Sequence, residues 1–280
     1  FVDFSSNPLY DEVCKGIASF WRNKCDSIIA IGGGSAIDVA KCIKLFCKMG
    51  KDINYLQQEY TDSGISLIAI PTTAGTGSES SRYAVIYYEG KKQSITHESI
   101  LPNIVILDAE LLQTLPLYQK KCTLLDALCQ GIESWWSVNS TGESKEYSKV
   151  AVEDIMHNME LYLSDHENIE AAERIMTASN YAGRAINITQ TTAPHAMSYK
   201  LTSLYRLPHG HAVAICMPKV WRYMLENENK VTDQRGNEYL CTVFQEISKS
   251  LGCESPEEVV GWFEKLLHKL EIKSPLGTLA

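Results

Sequence analysis

The sequence predicts an α/β domain built on a parallel sheet, followed by an all-helical domain. Up to about residue 116, short apolar runs alternate with helical patterns, which is typical of strand–helix–strand units. Beyond that point the apolar periodicity is helical almost throughout, and strand-like runs vanish. We therefore divide the chain into domains at 1–116 and 117–280.

The elements of the first domain follow from apolar runs and their spacing. Apolar side chains recur at intervals of four, four and three over 8–21, which predicts a helix. The run Ser-Ile-Ile-Ala-Ile at 27–31 predicts a buried strand, and a second helix follows it through Met49. Further strands are predicted at 1–4, 66–70 and 104–107.

The same periodicity predicts the helices of the second domain. Pro208 suits the first position of a new helix, so a helix boundary is expected there. The candidate helices are 123–138, 144–163, 167–188, 194–205, 210–225, 239–251 and 256–270.

Composition excludes several classes of protein. The 280 residues carry 26 lysines and arginines against 34 aspartates and glutamates, a formal charge of −8, so a nucleic-acid or anionic-membrane surface is not expected. No apolar run approaches the roughly 18 residues that cross a bilayer. The nine cysteines form no C-x-x-C pair, which predicts a reduced cytoplasmic protein without a disulfide scaffold.

The strand at 27–31 runs directly into Gly32-Gly33-Gly34 and a helix. In such a turn the unpaired N–H groups of the helix N-terminus and its dipole favour a phosphate. Ser35 and Asp38 also form an S-x-x-D capping pattern. The segment lacks the G-x-G-x-x-G spacing of dinucleotide sites, and a glycine triplet is as often only a tight turn.

A second glycine-rich segment, from Pro71 to Glu79, follows the next predicted strand. Ligands of open α/β sheets collect where the parallel strands end. Two glycine-rich loops at successive strand ends therefore favour a bound phosphate or dinucleotide over two unrelated turns.

In the helical half, Asp126 and Gln130 are four residues apart and share one face of a predicted helix among leucines. A buried carboxylate needs a partner, and a cation is one. His195 and His209 follow 14 residues apart in sequence, although each histidine alone is more often an ordinary core or surface imidazole. Aspartate and histidine ligands without a thiolate suit Zn²⁺ or Fe²⁺.

Six segments together resemble the iron-containing (group III) alcohol dehydrogenase family, in the family's order and over nearly the whole chain. They are IGGGSAIDVAK at 31–41, PTTAGTGSE at 71–79, LPNIVILD at 101–108, LLDAL at 124–128, PHAMSYKL at 194–201 and LPHGHAVAICMP at 207–218. The resemblance implies a Rossmann-like nucleotide-binding domain and a helical metal domain, as in dehydroquinate synthase-like folds. It implies that NAD or NADP delivers hydride to a carbonyl polarised by one divalent metal, Fe²⁺ or Zn²⁺.

The resemblance also implies roles for particular residues. Asp126, His195 and His209 match three metal ligands, whereas Gln130 replaces the usual fourth, a histidine, so that metal binding is expected to be weak or lost. Tyr199 replaces a histidine beside the nicotinamide and is assigned with Lys92 to catalysis. The cofactor positions are Gly33, Gly34, Ser35, Asp38, Thr72, Thr73, Thr76, Ser78 and Lys92.

The resemblance further implies that the chain is a piece of a longer protein. This piece lacks the family's N-terminal βαβ unit and its C-terminal end. The first of these carries the residue that reads the adenosine ribose, so NAD and NADP stay undecided. A homo-oligomer acting on a small aldehyde or alcohol is expected.

Three functions are compatible with these residues. The leading one is an NAD(P)H-linked alcohol dehydrogenase working as an aldehyde reductase. The others are an NAD-using lyase of the dehydroquinate synthase type and a metal-free, inactive relative that serves as a binding or assembly subunit. The sequence is similar to the branch that reduces phosphonoacetaldehyde or sulfoacetaldehyde, and Arg184 and Lys200 either bind such an anion or are solvated surface cations.

Overall fold

The first part of the chain alternates helices and strands, as the sequence predicts. The computed structural model describes residues 1–275. Its elements up to residue 105 are α1 (Tyr10–Arg22), β1 (Ser27–Gly32), α2 (Gly34–Phe46), β2 (Ser66–Pro71), β3 (Tyr83–Tyr88), β4 (Lys91–Thr96) and β5 (Ile104–Val105). Strands β1, β2 and β5 form a parallel sheet in that order. Gly32 is the register partner of Pro71, so the carboxyl ends of β1 and β2 lie side by side.

Strands β3 and β4 form an antiparallel hairpin that the sequence analysis did not predict. Its two-residue turn is Glu89-Gly90, and both residues have positive φ angles, 50° and 72°. Such a turn matches the right-handed twist of paired strands. The hairpin supplies Ala84, Ile86 and Ile95 to the core beside α1 and α2.

Two predictions for the strands are wrong. Residues 1–4 form no strand, and Phe4 instead packs partly buried against the core of the first part of the chain. In β1, Ala30 is buried, but Ile29 and Ile31 are 61% and 62% exposed. Successive side chains of a strand point to opposite faces, and α2 covers only one of them. No element within residues 1–275 buries the other face at these two isoleucines.

The second part of the chain is helical, which confirms the predicted change of fold class. Its helices are α3 (Leu117–Trp136), α4 (Gly142–Ser164), α5 (Ile169–Thr189), α6 (Ala193–Tyr205), α7 (His209–Glu226), α8 (Gly236–Ser250) and α9 (Glu258–Lys269). Helix α3 begins six residues before the predicted start, with Pro116 as its N-cap residue. None of the helices within residues 1–275 has the length and apolar character needed to span a membrane.

The contacts divide the chain into two compact units. The first contains Phe1–Thr73 and Gly77–Leu112, and the second contains Ala74–Thr76 and the residues from Gln113 onward. Helix α3 is the central helix of the second unit, because it packs against α4, α5, α7 and α8. From Leu124 to Trp136 every residue of α3 is buried. Any polar side chain in this stretch therefore needs a partner inside the unit.

Candidate metal centre and cofactor loops

The first glycine-rich loop has the geometry of a strand-to-helix turn. Gly32 has a φ of 154°, and a β-carbon there would lie 2.6 Å from Cβ of Ala36, so the position requires glycine. Helix α2 begins at Gly34 with Gly33 as its N-cap residue. The predicted capping by Ser35 is wrong, because Ser35 is inside the helix and its hydroxyl donates to the Ser6 carbonyl oxygen at 2.5 Å. The first N–H groups of α2 have no partner within the helix, as an anion site requires.

The two glycine-rich loops lie next to each other at the sheet edge. The backbone N–H of Thr72 donates to the Gly32 carbonyl oxygen at 3.0 Å. A β-carbon on Gly33 would lie 3.3 Å from the side chain of Thr73. The structure therefore brings Gly32 and Gly33 of the first loop next to Thr72 and Thr73 of the second, at the strand ends where ligands of α/β sheets collect.

Asp38 and Ser78, both predicted to bind the cofactor, bind each other. The Ser78 hydroxyl donates to Oδ1 of Asp38 at 2.6 Å, and the Val85 N–H donates to Oδ2 at 3.0 Å. The buried Lys41 ammonium donates from the same helix to Oγ of Ser78 and to the carbonyl oxygens of Ser81 and Tyr83. Asp38 thus holds the chain after the second loop onto α2, and its direct contact with the cofactor stays a prediction.

Burial dominates the electrostatics of this network. It lowers the pKa of Lys41 to about 8, although the charges of Asp38 and Glu79 act in the opposite direction. Burial also raises the pKa of Asp38, against the charges of Lys41 and Lys92 and the hydrogen bonds from Ser78 and Val85. Lys92 lies on β4, and its charge therefore acts on the carboxylate of α2 that secures the second loop.

In the helical unit, three helices bring Asp126, His195 and His209 together. Oδ1 of Asp126 lies 3.2 Å from Nε2 of His195 and 3.9 Å from Nε2 of His209. One ligand atom from each of the three side chains lies within 4.8 Å of the other two. Asp126 and His195 are buried, with 2% and 3% exposure. A carboxylate and two imidazoles converging on one point form a set that suits Fe²⁺ or Zn²⁺.

Both imidazoles have their second nitrogen occupied by protein. Nδ1 of His195 bonds to Oε1 of Glu133, and Nδ1 of His209 lies 3.4 Å from the Ser198 hydroxyl. That hydroxyl donates to the His195 carbonyl oxygen, so it accepts from His209. Each histidine therefore directs Nε2 toward Asp126, and a hydrogen bond at the other ring nitrogen is the usual arrangement of a metal-binding histidine.

Gln130, the predicted fourth ligand, is buried one helical turn beyond Asp126. Its Nε2 donates to the Thr76 carbonyl oxygen at 3.2 Å, whereas its Oε1 is buried and lacks a hydrogen-bond partner within residues 1–275. Leaving a carbonyl oxygen buried and unpaired is unfavourable unless a cation or water completes it. The residues present therefore fit a metal with oxygen and nitrogen ligands.

The same hydrogen bond places Thr76, a predicted cofactor residue, against helix α3. At Gly75 a β-carbon would lie 2.6 to 2.8 Å from atoms of Thr123, so only glycine lets this segment approach α3 so closely. The approach explains why Ala74–Thr76 belongs by its contacts to the helical unit.

The protonation of His195 follows its carboxylate neighbours. Burial lowers its pKa, but the charge of Glu133 and the hydrogen bonds to Asp126 and Glu133 outweigh burial and raise the pKa to about 10. The site thus favours positive charge among its two buried carboxylates.

The remaining predicted residues differ in their surroundings. The ring of Tyr199 stacks on that of His209, with 5.9 Å between centroids and 9° between planes, and Tyr199 is 38% exposed. The guanidinium of Arg184 lies over the rings of Tyr181 and Tyr147, at 5.5 and 6.0 Å from their centroids. Tyr199 therefore adjoins the candidate metal ligands, whereas Arg184 is held by an aromatic pair. The role of Arg184 and of the exposed Lys200 stays a prediction.

The sequence analysis did not identify Glu133 or Ser198. Glu133 lies seven residues after Asp126, two helical turns along the same face, and this spacing is the one signal that the sequence contained. Ser198 lies three residues after His195 on α6, and no sequence pattern distinguishes it from an ordinary helical serine.

Comparison with known families agrees with this geometry. Residues 1–109 match the model of the iron-containing alcohol dehydrogenase family, and residues 121–279 match that of the family's C-terminal domain. The chain belongs to the iron-containing alcohol dehydrogenase family, which confirms the resemblance inferred from its motifs.

Individual relatives are similar over most of this chain. The probable alcohol dehydrogenase EutG of Escherichia coli (strain K12) is 33% identical over 221 residues, which are 77% of this chain and 56% of that protein. The phosphonoacetaldehyde reductase of Streptomyces viridochromogenes is 32% identical over 241 residues, 82% of this chain and 61% of that protein. The chain thus spans about three fifths of these relatives.

Solved structures confirm the predicted fold class. Sulfoacetaldehyde reductase from Bifidobacterium kashiwanohense in complex with NAD⁺ superimposes with a TM-score of 0.87 and 28% identity, covering 98% of this chain and 71% of that one. A 1,3-propanediol oxidoreductase superimposes with a TM-score of 0.88 and 28% identity, covering 99% and 72%.

Proposed function

We propose that the protein is a metal-dependent, NAD(P)H-linked alcohol dehydrogenase that works as an aldehyde reductase. The convergence of Asp126, His195 and His209, with the unpaired Oε1 of Gln130 on the same face of α3, is the observation that carries the proposal. A divalent metal bound there supplies a Lewis acid for a carbonyl oxygen. Fe²⁺ and Zn²⁺ both suit the ligand set, and the family's name favours iron.

The protein's own groups bind and orient the cofactor. The N–H groups at the start of α2, from Gly33 to Ser35, hold the pyrophosphate at the positive end of the helix. Thr72, Thr73, Thr76 and Ser78 contribute the second loop, which Asp38 and Lys41 keep against α2. Lys92, whose charge acts on Asp38, adds positive charge near this network. The NAD⁺ complex of the sulfoacetaldehyde reductase supports NAD as the cofactor.

Tyr199 is the proposed proton donor. Its hydroxyl belongs to a ring that is stacked on His209 and partly open to solvent, so a proton given to the product is replaced from water. The stacking holds the phenol beside the candidate ligands without making it one of them.

The proposed substrate is an anionic two-carbon aldehyde. Relatives named phosphonoacetaldehyde reductase and sulfoacetaldehyde reductase support this class. Arg184 is held by two tyrosine rings and offers a planar pair of donors for a phosphonate or sulfonate, which a lysine such as Lys200 complements as a point charge. The competing interpretation leaves both residues as solvated surface cations.

The two other functions have less support. The relatives reported above are named for oxidoreductase chemistry, which favours a dehydrogenase over a lyase. An inactive, metal-free subunit would need a water in place of the metal to pair the buried Gln130 carbonyl oxygen, which has no hydrogen-bond partner within residues 1–275. A cytoplasmic location agrees with nine cysteines that are all free thiols.

Steady-state kinetics test the proposal. Purified protein supplied with Fe²⁺ or Zn²⁺ should oxidise NADH or NADPH only when an aldehyde is present, and Asp126→Ala should lower the rate at least about a hundredfold. Cofactor oxidation that is independent of both the metal and Asp126 would contradict it.

A further inference from the structure

The carboxylate of Glu133 is the most enclosed charged group of the helical unit that the mechanism above does not use. Its side chain has no exposure at all. Oε1 bonds to Nδ1 of His195, and Oε2 accepts from the backbone N–H and, at 2.7 Å, from the hydroxyl of Thr192. Both oxygens are thus engaged, and both face the start of α6.

Thr192 is the N-cap residue of α6, but its hydroxyl does not cap that helix. It donates instead to Glu133 and accepts from the indole N–H of Trp136 at 2.9 Å. Glu133 and Trp136 both belong to α3. The first turn of α6, including His195, is therefore fixed to α3 at two points, through Thr192 and through the imidazole ring.

We infer that Glu133 is a positioning residue of the metal centre, which holds the His195 ring so that Nε2 faces the metal and, in the neutral ring, carries the lone pair. The inference rests on the proposed function. A carboxylate accepts but does not donate, so the proton of a neutral His195 must stay on Nδ1. Nε2 then keeps its lone pair on the side of Asp126 and His209.

The charges of the site agree with this role. Asp126 and Glu133 place two negative charges in the interior, with exposures of 2% and 0%. Isolated buried charges are strongly unfavourable, and one divalent cation balances two carboxylates. Glu133 therefore also favours a divalent metal over a singly charged ion.

Replacement by glutamine has a specific consequence. Thr192 presents two donors to Oε2, so the single amide oxygen of Glu133→Gln faces Thr192 and the NH₂ group faces Nδ1 of His195. The ring then accepts at Nδ1 and carries its proton on Nε2, where it opposes metal binding. The substitution changes no candidate ligand and almost no volume.

Titration with Co²⁺ tests the inference, because this ion reports both affinity and ligand geometry in its visible spectrum. Chelator competition should show Glu133→Gln binding Co²⁺ about 10- to 100-fold more weakly than wild type, with an altered spectrum. Glu246→Gln is the matched control, since Glu246 also accepts a hydrogen bond from α3, from Trp135 at 3.2 Å, and its Co²⁺ affinity should stay within about threefold of wild type.

A purely structural role predicts a different result. Glu133→Gln would then unfold at lower urea concentration but bind Co²⁺ with wild-type affinity and spectrum, and this outcome overturns the inference. Should Glu133→Gln not fold, Glu133→Asp keeps the charge but shortens the side chain, and about tenfold weaker Co²⁺ binding is expected; wild-type affinity overturns the inference again. Absence of Co²⁺ binding by the wild type would instead refute the proposed metal centre and this inference with it.

Discussion

Gly210 lies so close to Cys122 that a β-carbon on it would be 2.0 Å from the Cys122 carbonyl oxygen. The same β-carbon would be 2.9 Å from Cβ of Asp126. Gly210 follows His209 in the first turn of α7, so this close approach of α7 to α3 brings His209 to Asp126. Only glycine permits it.

We expect Gly210→Ala to separate the first turn of α7 from α3. The methyl group has no space, so the free energy of unfolding should fall by about 1 to 3 kcal/mol, the usual cost of overpacking a core. Metal affinity should fall with it, because His209 moves with the backbone. Urea denaturation and metal titration measure the two effects.

Gly261→Ala on α9 is the control for this change. Within residues 1–275, no atom outside the neighbouring backbone of α9 lies within 4 Å of a β-carbon built at Gly261, and alanine favours the helix by up to about 1 kcal/mol. Equal stability of the Gly210→Ala and Gly261→Ala proteins would argue against the tight contact.

We expect the substitution Gly33→Val in the first glycine-rich loop to weaken cofactor binding. In Gly33→Val a branched side chain meets Thr73 and occupies the approach to the helix N-terminus. NAD⁺ or NADP⁺ should bind about 2 kcal/mol more weakly, roughly thirtyfold, because hydrogen bonds to the charged pyrophosphate are lost. Calorimetric titration of both cofactors measures this loss. Gly50→Val, at an exposed position of the same unit, should bind as the wild type does, and undiminished binding by Gly33→Val rules out the pyrophosphate site.

Because burial lowers the pKa of Lys41, we expect the free energy of unfolding to depend on pH. Its pKa is about 8 in the folded protein and has the ordinary value of 10.5 in the unfolded chain. Between these values the unfolded chain binds the extra proton, so the contribution of Lys41 to the free energy of unfolding rises with pH and is constant below about pH 8. The difference in unfolding free energy between wild type and Lys41→Met should increase by on the order of 2 kcal/mol from about pH 8 to about pH 10.

Urea unfolding at a series of pH values measures this difference. Lys15→Met, which removes an exposed lysine from α1, serves as the control for the loss of one charge. A difference between wild type and Lys41→Met that does not change over this range would show that Lys41 is not buried as a charged group.

If Arg184 binds the anionic group of the substrate, the enzyme should prefer anionic aldehydes. Charge-assisted hydrogen bonds contribute about 1.5 to 3 kcal/mol, so Arg184→Ala should lower kcat/KM for phosphonoacetaldehyde or sulfoacetaldehyde about tenfold or more. Reduction of butanal should change little, because butanal presents no anion. Arg174→Ala, which removes an exposed arginine from the same helix, is the control. A wild-type preference for butanal, or an equal loss for all three aldehydes, would leave only the general dehydrogenase activity.

The helices and the parallel sheet could be predicted because their patterns are local. A period of 3.6 residues over 8–21 is a property of the side chains of α1 alone, and its helix was predicted to within about two residues at each end. The hairpin of β3 and β4 was missed, although Glu89-Gly90 between two β-rich runs is a turn signal. The exposed isoleucines of β1 could not be predicted, because exposure depends on what packs against each face.

The candidate site could be predicted only in part. The spacing of Asp126 and Gln130 on one helix is local, but the meeting of His195 with Glu133 depends on how α6 packs against α3. In the sequence a buried glutamate looks the same as a solvated one. The contact of Gln130 with Thr76 also lay beyond prediction, because it requires the close approach at Gly75.

Metal binding by the purified protein is the decisive test of the proposed metal centre. Anaerobic titration with Fe²⁺, and elemental analysis after dialysis, should show about one ion per chain in the wild type and none in Asp126→Ala or His209→Ala. Gln130→His should bind the ion more tightly, because imidazole is a better ligand than a carboxamide. Metal content that is the same in the wild type and both alanine variants would rule out this metal centre, since Asp126 and His209 would then not hold the metal.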